Sequence, residues 1–208
     1  LIGWLSTILS LSVGLKKLFP QEKELGRKIV HMGTGPIIPL AWWLDIPSKI
    51  AIPAATVITI GLLINYQFRF IASIESIDRK SFGTIAYGLS ITLLLIFFWP
   101  NNAAAITAGV LVMAFGDGLA GLIGRKIISP SWMILNQKKS MVGTFTMAIG
   151  TGIVLYSINQ LSGINLSMLD IFIITSIAVI LEQISPLGID NITVPIGVAL
   201  CWQYFINH

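Results

Sequence analysis

Between Asn102 and Gly124 the chain reads NAAAITAGVLVMAFGDGLAGLIG, twenty-three residues with one charged side chain, Asp117. An α-helix needs about 20 mostly apolar residues to cross the hydrocarbon of a bilayer, and this run supplies them. Working outward, seven further apolar runs follow the same pattern, and none alternates with the period of a strand. The eight candidate spans are Leu1–Leu15, Ile29–Leu44, Lys49–Ile64, Phe82–Trp99, Asn102–Gly124, Met141–Ile158, Leu169–Ile184 and Ile192–Ile206. Spanning structures must satisfy every backbone group internally, so only helices or closed barrels serve, and continuous apolar runs select helices. The expected fold is all-α: a polytopic transmembrane helical bundle of about seven to eight spans, forming a single integral membrane domain over residues 1–208. The shorter runs leave slack at their boundaries, and one of them is a candidate re-entrant segment.

Composition agrees. The 208 residues are 55% hydrophobic and 11% charged, with a mean hydropathy of +0.86. A soluble domain carries about 25% charged residues, so too little polar surface remains to cover a water-soluble globule. The net charge of +4 fits basic cytoplasmic loops rather than a nucleic-acid partner. Cys201 is the one cysteine, which rules out an intramolecular disulfide. The chain opens apolar at Leu1 with no basic segment before it, so no cleaved signal peptide is expected, and the first span reads as truncated or as already under way at Leu1.

Basic residues set the orientation. Lys16, Lys17, Lys23, Arg27 and Lys28 follow the first span. Arg69, Arg79 and Lys80 follow the third, and Arg125, Lys126, Lys138 and Lys139 follow the fifth. With eight spans these three loops share one side, leaving Lys49 alone on the other; the positive-inside rule makes the shared side cytoplasmic. Three basic pairs there precede a Gly-Thr: Arg27-Lys28 before Gly33-Thr34, Arg79-Lys80 before Gly83-Thr84, and Lys138-Lys139 before Gly143-Thr144. Helix N-termini with basic side chains favour phosphate, although simple snorkelling anchors would show the same pattern.

Asp117 carries the most information. It stands eight residues before Arg125, about 12 Å deeper along an unbroken helix. A carboxylate at that depth costs several kcal/mol without a partner: a divalent metal, a basic side chain or a proton. Gly116, Gly118 and Gly121 imitate a dinucleotide-binding fingerprint, but no strand precedes them. Gly116, Ala120 and Gly124 recur every four residues and are expected to let another helix approach closely. Glycine beside Asp117 also permits a break in the helix.

Three further groups join it. Lys138, Lys139, Ser140 and Gly143 stand at a helix start, where they can cradle phosphate oxygens. Glu182 and Asp190 flank Pro186 and Gly188, whose turn brings both acids to the cytoplasmic end of the last two spans. There they are either Mg²⁺ ligands together with Asp117 or structural partners of Arg79 or Arg125. His31 shares a helix face with Arg27 and Lys28; it is either a packing residue or a base or phosphate contact. Trp42, Trp43 and Trp99 read as interfacial belt residues on the opposite side. Glu75 and Asp78 read as loop surface, with Asp78 a possible member of the site.

Arg27-Lys28-Ile29-Val30-His31, Gly116-Asp117-Gly118 running to Gly124-Arg125, Lys139-Ser140 with Gly143, and Glu182 through Asp190-Asn191 to Pro195 resemble, in order, the motifs of the phytol kinase and dolichol kinase family. More distantly they are similar to CDP-diacylglycerol synthases. The resemblance covers about Arg27 to Pro195. It implies phosphorylation of a long-chain isoprenoid alcohol drawn from the bilayer, with CTP as donor and a divalent metal, Mg²⁺. Some relatives carry an acid between the Lys-Ser and the glycine, where Met141 and Val142 stand here. The chain is shorter than typical dolichol kinases, which favours phytol or a similar prenol.

The resulting expectation is γ-phosphoryl transfer at the cytoplasmic membrane face. Asp117, Lys139 and His31 are the expected catalytic residues. Arg27, Lys28, Arg79, Lys80, Arg125, Lys138, Lys139, Ser140 and Gly143 hold the nucleotide, and Asp117, Glu182 and Asp190 the metal. No obligate protein partner is inferred. Two rivals remain: a cytidylyltransferase acting on a lipid phosphate, which would use the same groups, and a small-solute transporter. Clustering of charge at one face, with only Asp45, Lys49 and Asp170 opposite, disfavours the transporter, whose substrate groups sit near the midplane.

Overall fold

A computed structural model describes residues 2–19, 25–68, 70 and 82–208. Each candidate span matches one helix or one helix pair. In chain order these are α1 (Ile2–Leu18), α2 (Leu25–Thr34) with α3 (Ile37–Trp43), α4 (Ser48–Phe68), α5 (Gly83–Phe98), α6 (Ala103–Leu111) with α7 (Gly118–Lys126), α8 (Met141–Ser162), α9 (Met168–Ile184) and α10 (Asp190–Ile206). The second pass breaks at Gly35-Pro36, where proline lacks the N–H that would continue the ladder. Among the described residues three helices, 48–68, 103–126 and 141–162, are long and apolar enough to cross a membrane, which supports a membrane-type bundle but not the seven to eight spans expected. The outer faces of α4 and α8 expose Val57, Leu63, Ile149 and Ile153, an apolar surface that water would penalise and lipid would not.

The run that decides the fold is also its centre. Ile106, Ala108, Val110, Val112, Met113 and Ala114 are fully buried. α6 packs on α10, α3, α5 and α8. Small residues permit this: a Cβ added to Gly109 would lie 2.4 Å from the Pro195 carbonyl oxygen. Between α6 and α7 the helix does not break at Asp117. It widens into a π segment, Val112–Asp117, a distortion found mostly at functional positions. The four-residue glycine pattern closes α7 onto α8, as expected. A Cβ on Gly150 would meet the Gly116 Cα at 3.4 Å, and one on Gly124 would meet the Gly143 Cα at 3.0 Å.

One element stands apart from the helices, which otherwise bear out the all-α reading. Strands β1 (Ser131–Ile134) and β2 (Gln137–Ser140) form an antiparallel hairpin, with Ser131 opposite Ser140 and Ile134 opposite Gln137. Both turn residues, Leu135 and Asn136, have positive φ, 48° and 61°, as a tight turn matched to strand twist requires. Lys138 and Lys139 therefore lie on a strand, not at a helix start. The helix begins one residue after Ser140, whose hydroxyl accepts the Gly143 N–H as its N-cap.

Candidate active site

A cavity of about 720 Å³ opens where α2, α7, the hairpin, α8 and the α9–α10 turn converge. Arg27, Lys28, Asp117, Arg125, Lys138, Lys139, Ser140, Gly143, Glu182 and Asp190 all line it. Of the residues singled out from sequence, Arg79 and Lys80 lie outside the described residues, as do Glu75 and Asp78. His31 lines a neighbouring cavity instead.

Asp117 has found the partner its depth demands. It is buried, and Lys28 Nζ donates to its Oδ2 at 3.0 Å and lies 3.4 Å from its carbonyl oxygen. α2 and the end of the π segment supply the two halves of the pair, and Gly121 of α7 makes room: a Cβ there would fall 2.9 Å from both Cε and Nζ of Lys28. Because those atoms end a flexible chain, Gly121→Ala displaces the lysine rather than the backbone. Activity of that variant is expected to fall by about tenfold, with the melting temperature moving no more than about 2–4 °C. Parallel activity and thermal-unfolding measurements check both halves.

His31 Nε2 lies 2.9 Å from the Met113 carbonyl in the π segment and 3.6 Å from Asp117 Oδ2. A carbonyl can only accept, so Nε2 carries the proton and, in the neutral ring, Nδ1 carries the lone pair. The ring rests against Tyr87 at a centroid distance of 4.5 Å. Tyr87 donates in turn to the His31 carbonyl at 2.9 Å, which fixes the ring's wall.

The second acid–base pair faces the first across the cleft. Lys139 Nζ from β2 donates to Glu182 Oε1 and to the Glu182 carbonyl at 2.7 Å. That carbonyl belongs to the last turn of α9, where cations are favoured. Gln183 secures the arrangement. Its amide donates to Glu182 Oε2 at 2.8 Å and to Thr144 Oγ1 at 3.0 Å, and its carbonyl accepts Trp132 Nε1 at 3.2 Å. The hairpin is thereby tied to α9. Sequence reasoning passed over Gln183 and Trp132, since nothing in a polar residue at a helix end or a tryptophan in a short strand distinguishes a brace from a surface group.

Ser140 donates to the Gly124 carbonyl at 3.2 Å while capping α8. Ser140 and Gly143 thus hold the α7–α8 crossing beneath the cleft floor. The turn expected at Pro186 and Gly188 is present, with Leu187 and Gly188 at positive φ, and it brings Asp190 to the cleft beside Glu182. Asp190 lies ahead of the apolar run 192–206. Burial, and next the negative charge of Asp117, hold its carboxyl above the ordinary carboxylate range. Asp190 Oδ1 accepts the Asn191 N–H at 3.0 Å and the Asn191 side-chain amide at 3.3 Å.

No cluster of three or more metal-ligating side chains forms among the described residues. A Mg²⁺ that arrives on phosphates needs only one or two carboxylates, and Asp117 and Asp190, which line the same cavity, are the residues that could supply them.

Among proteins of known activity, the chain is 36% identical over 189 residues to a phytol kinase of Synechocystis sp., covering 89% of this chain and 81% of the relative. It is 28% identical over 203 residues to a probable chloroplastic phytol kinase of Zea mays, covering 86% and 66% respectively. A chloroplastic farnesol kinase of Arabidopsis thaliana is 28% identical over 209 residues, 90% of this chain and 67% of that one. No family model and no solved structure matches. The Synechocystis alignment takes in most of both chains, and on that likeness the chain belongs to the phytol kinase family.

Proposed function

We propose that this chain is a membrane-embedded prenol kinase that moves the γ-phosphate of CTP to an isoprenoid alcohol, phytol or one close to it, at the cytoplasmic face. The observation that carries the reading is the content of one cleft: five basic and three acidic side chains, two of the acids each held by a lysine. A net positive, partly water-excluded cleft of this size suits a triphosphate. The relatives named phytol kinase and farnesol kinase supply the acceptor class.

In this mechanism Arg125, Lys138 and Lys139 hold the phosphates, and Arg27 and Lys28 bound the cleft opposite. Asp190 and Asp117 would hold Mg²⁺, which when bound neutralises charge on the phosphate oxygens. The alcohol oxygen attacks the γ-phosphorus in line, the bond to the β–γ bridging oxygen breaks, and CDP leaves. His31 Nδ1 accepts the hydroxyl proton. Such transfer depends on positioning and charge neutralisation more than on a strong base.

Purified protein in lipid, supplied with Mg²⁺, phytol or phytyl phosphate, and CTP labelled at either the α- or the γ-phosphate, tests the reading. Label moving from the γ position onto phytol with release of CDP is the expected result. α-Label in a CDP-lipid would make the protein a cytidylyltransferase. Transfer of neither label, with ATP and several alcohols also tried, would overturn the kinase reading.

A further inference from the structure

A second cavity, about 390 Å³, lies on the other side of α2, enclosed by α1 to α5. Its walls are aliphatic: Ile8 of α1, Ile38 of α3, Ala55 and Ile58 of α4, Ile91 of α5. Among its polar side chains, Thr34 donates to the Tyr87 hydroxyl and Tyr87 to the His31 carbonyl, Arg27 and Thr84 line it from the first turns of the same two helices, and Thr59 is paired with Thr92 further along. Arg27 lines both cavities, and His31, in the wall of this one, stands 3.6 Å from the Asp117 carboxylate that faces the other. An added Cβ on Gly118 would meet His31 Cδ2 at 3.8 Å, so the Cδ2–Nε2 edge of the ring is turned to the π segment and α7. The Nδ1 edge is the opposite one.

We propose that this apolar cavity seats the isoprenoid tail of the acceptor alcohol, with the hydroxyl at the Arg27–His31 end, and that its far end sets the longest tail accepted. The proposal rests on the prenol-kinase reading and adds to it the place and size limit of the acceptor. Gly83 and Leu95 of α5 both line the cavity, and twelve helical residues span about 18 Å. A zigzag of ~1.5 Å carbon–carbon bonds advances about 1.25 Å per carbon, so a main chain of about 12–16 carbons extends about 15–20 Å. Farnesol and phytol fit within that range; a dolichol does not. The far end is closed by Ile46, whose carbonyl accepts Trp99 Nε1 at 2.9 Å.

The test compares wild type with Ala51→Phe, which narrows the far end, and with Val57→Phe, which adds the same bulk to the exposed face of α4. Activity is measured on C10, C15 and C20 alcohols at saturating nucleotide. Ala51→Phe is expected to lower the C20-to-C10 ratio of kcat/KM at least about tenfold, with KM for the nucleotide unchanged and Val57→Phe like wild type. A ratio that stays put in Ala51→Phe overturns the cavity assignment while leaving the kinase reading standing. In parallel, a farnesol analogue with a terminal diazirine is cross-linked to wild-type protein in nanodiscs. Adducts on Ala51, Ile91 or Leu95 that excess phytol abolishes support the assignment, even if Ala51→Phe fails to fold or no alcohol is phosphorylated. Adducts elsewhere, or ones phytol does not compete away, overturn it.

Discussion

Asp117→Asn is expected to lower phosphate transfer at least about a thousandfold, comparable to losing a principal electrostatic contributor in other active sites. The amide preserves the shape of the side chain and removes its charge. Two consequences follow, and they separate cleanly. The first is chemical: the cleft loses the carboxylate that holds Lys28 and that would share Mg²⁺ with Asp190. The second is structural: Lys28, itself only 6% exposed, is left as a buried ammonium facing an amide and a backbone carbonyl. Breaking one side of a buried pair costs about 3–5 kcal/mol, and the polar cleft beside it reduces that figure. The double variant Lys28→Met/Asp117→Asn removes the stranded charge. It is expected to unfold nearer the wild-type temperature and to remain inactive. Recovery of both stability and turnover in the double variant would reduce Asp117 to a structural residue. Wild-type-like turnover in the single variant would remove it from the mechanism. γ-Label transfer in nanodiscs and thermal unfolding in detergent supply the two readouts.

The same pair shows how far the sequence could be read. That Asp117 needed a partner followed from its depth in an apolar run, and a basic side chain was among the candidates. Which one could not be read, because Lys28 lies 89 positions away and only the packing of α2 on α7 selects it. Helices were legible because burial in lipid makes hydrophobic length itself the signal: the start of α8 at Met141 and the end of α9 at Ile184 fell where expected. The glycine stripe was legible too, since close helix approach needs small residues at four-residue spacing. The hairpin was not. Strands of four residues are too short to display a period, and the Leu135-Asn136 turn lacks the Asn-Gly or Asp-Gly signature. The π segment was anticipated only as a break, because glycine beside Asp117 permits either distortion and the sequence does not choose. The second cavity was legible only at Arg27 and His31. The rest of its lining is mostly ordinary aliphatic side chains from five helices, which acquire meaning only when assembled beside His31.

Lys139→Met is the second large effect, and the comparison with Glu182→Gln decides which member of that pair meets phosphate. If Lys139 is the phosphate ligand and Glu182 its anchor, removing the cation lowers kcat/KM about 10²–10³-fold and raises KM for the nucleotide. Glu182→Gln should then cost only about tenfold, because Lys139 keeps its bond to the Glu182 main-chain carbonyl at 2.7 Å and loses charge pairing alone. If instead Glu182 is the metal ligand and Lys139 merely neutralises it before the nucleotide arrives, the order reverses. Glu182→Gln becomes the severe lesion, and its activity shifts to higher Mg²⁺. Lys139→Arg sharpens the distinction: a guanidinium retains charge but replaces a compact ammonium with a planar fork, so it rescues a neutralising role more readily than a fitted phosphate contact. The arrangement favours the first order. Glu182 is already occupied on both oxygens, by Lys139 and by Gln183, whereas Asp190 in the same cleft accepts from Asn191 at Oδ1. Steady-state kinetics on the three variants over a Mg²⁺ series is the measurement. A Glu182→Gln defect that exceeds that of Lys139→Met and recedes with added Mg²⁺ would transfer the metal role from Asp117 and Asp190 to Glu182.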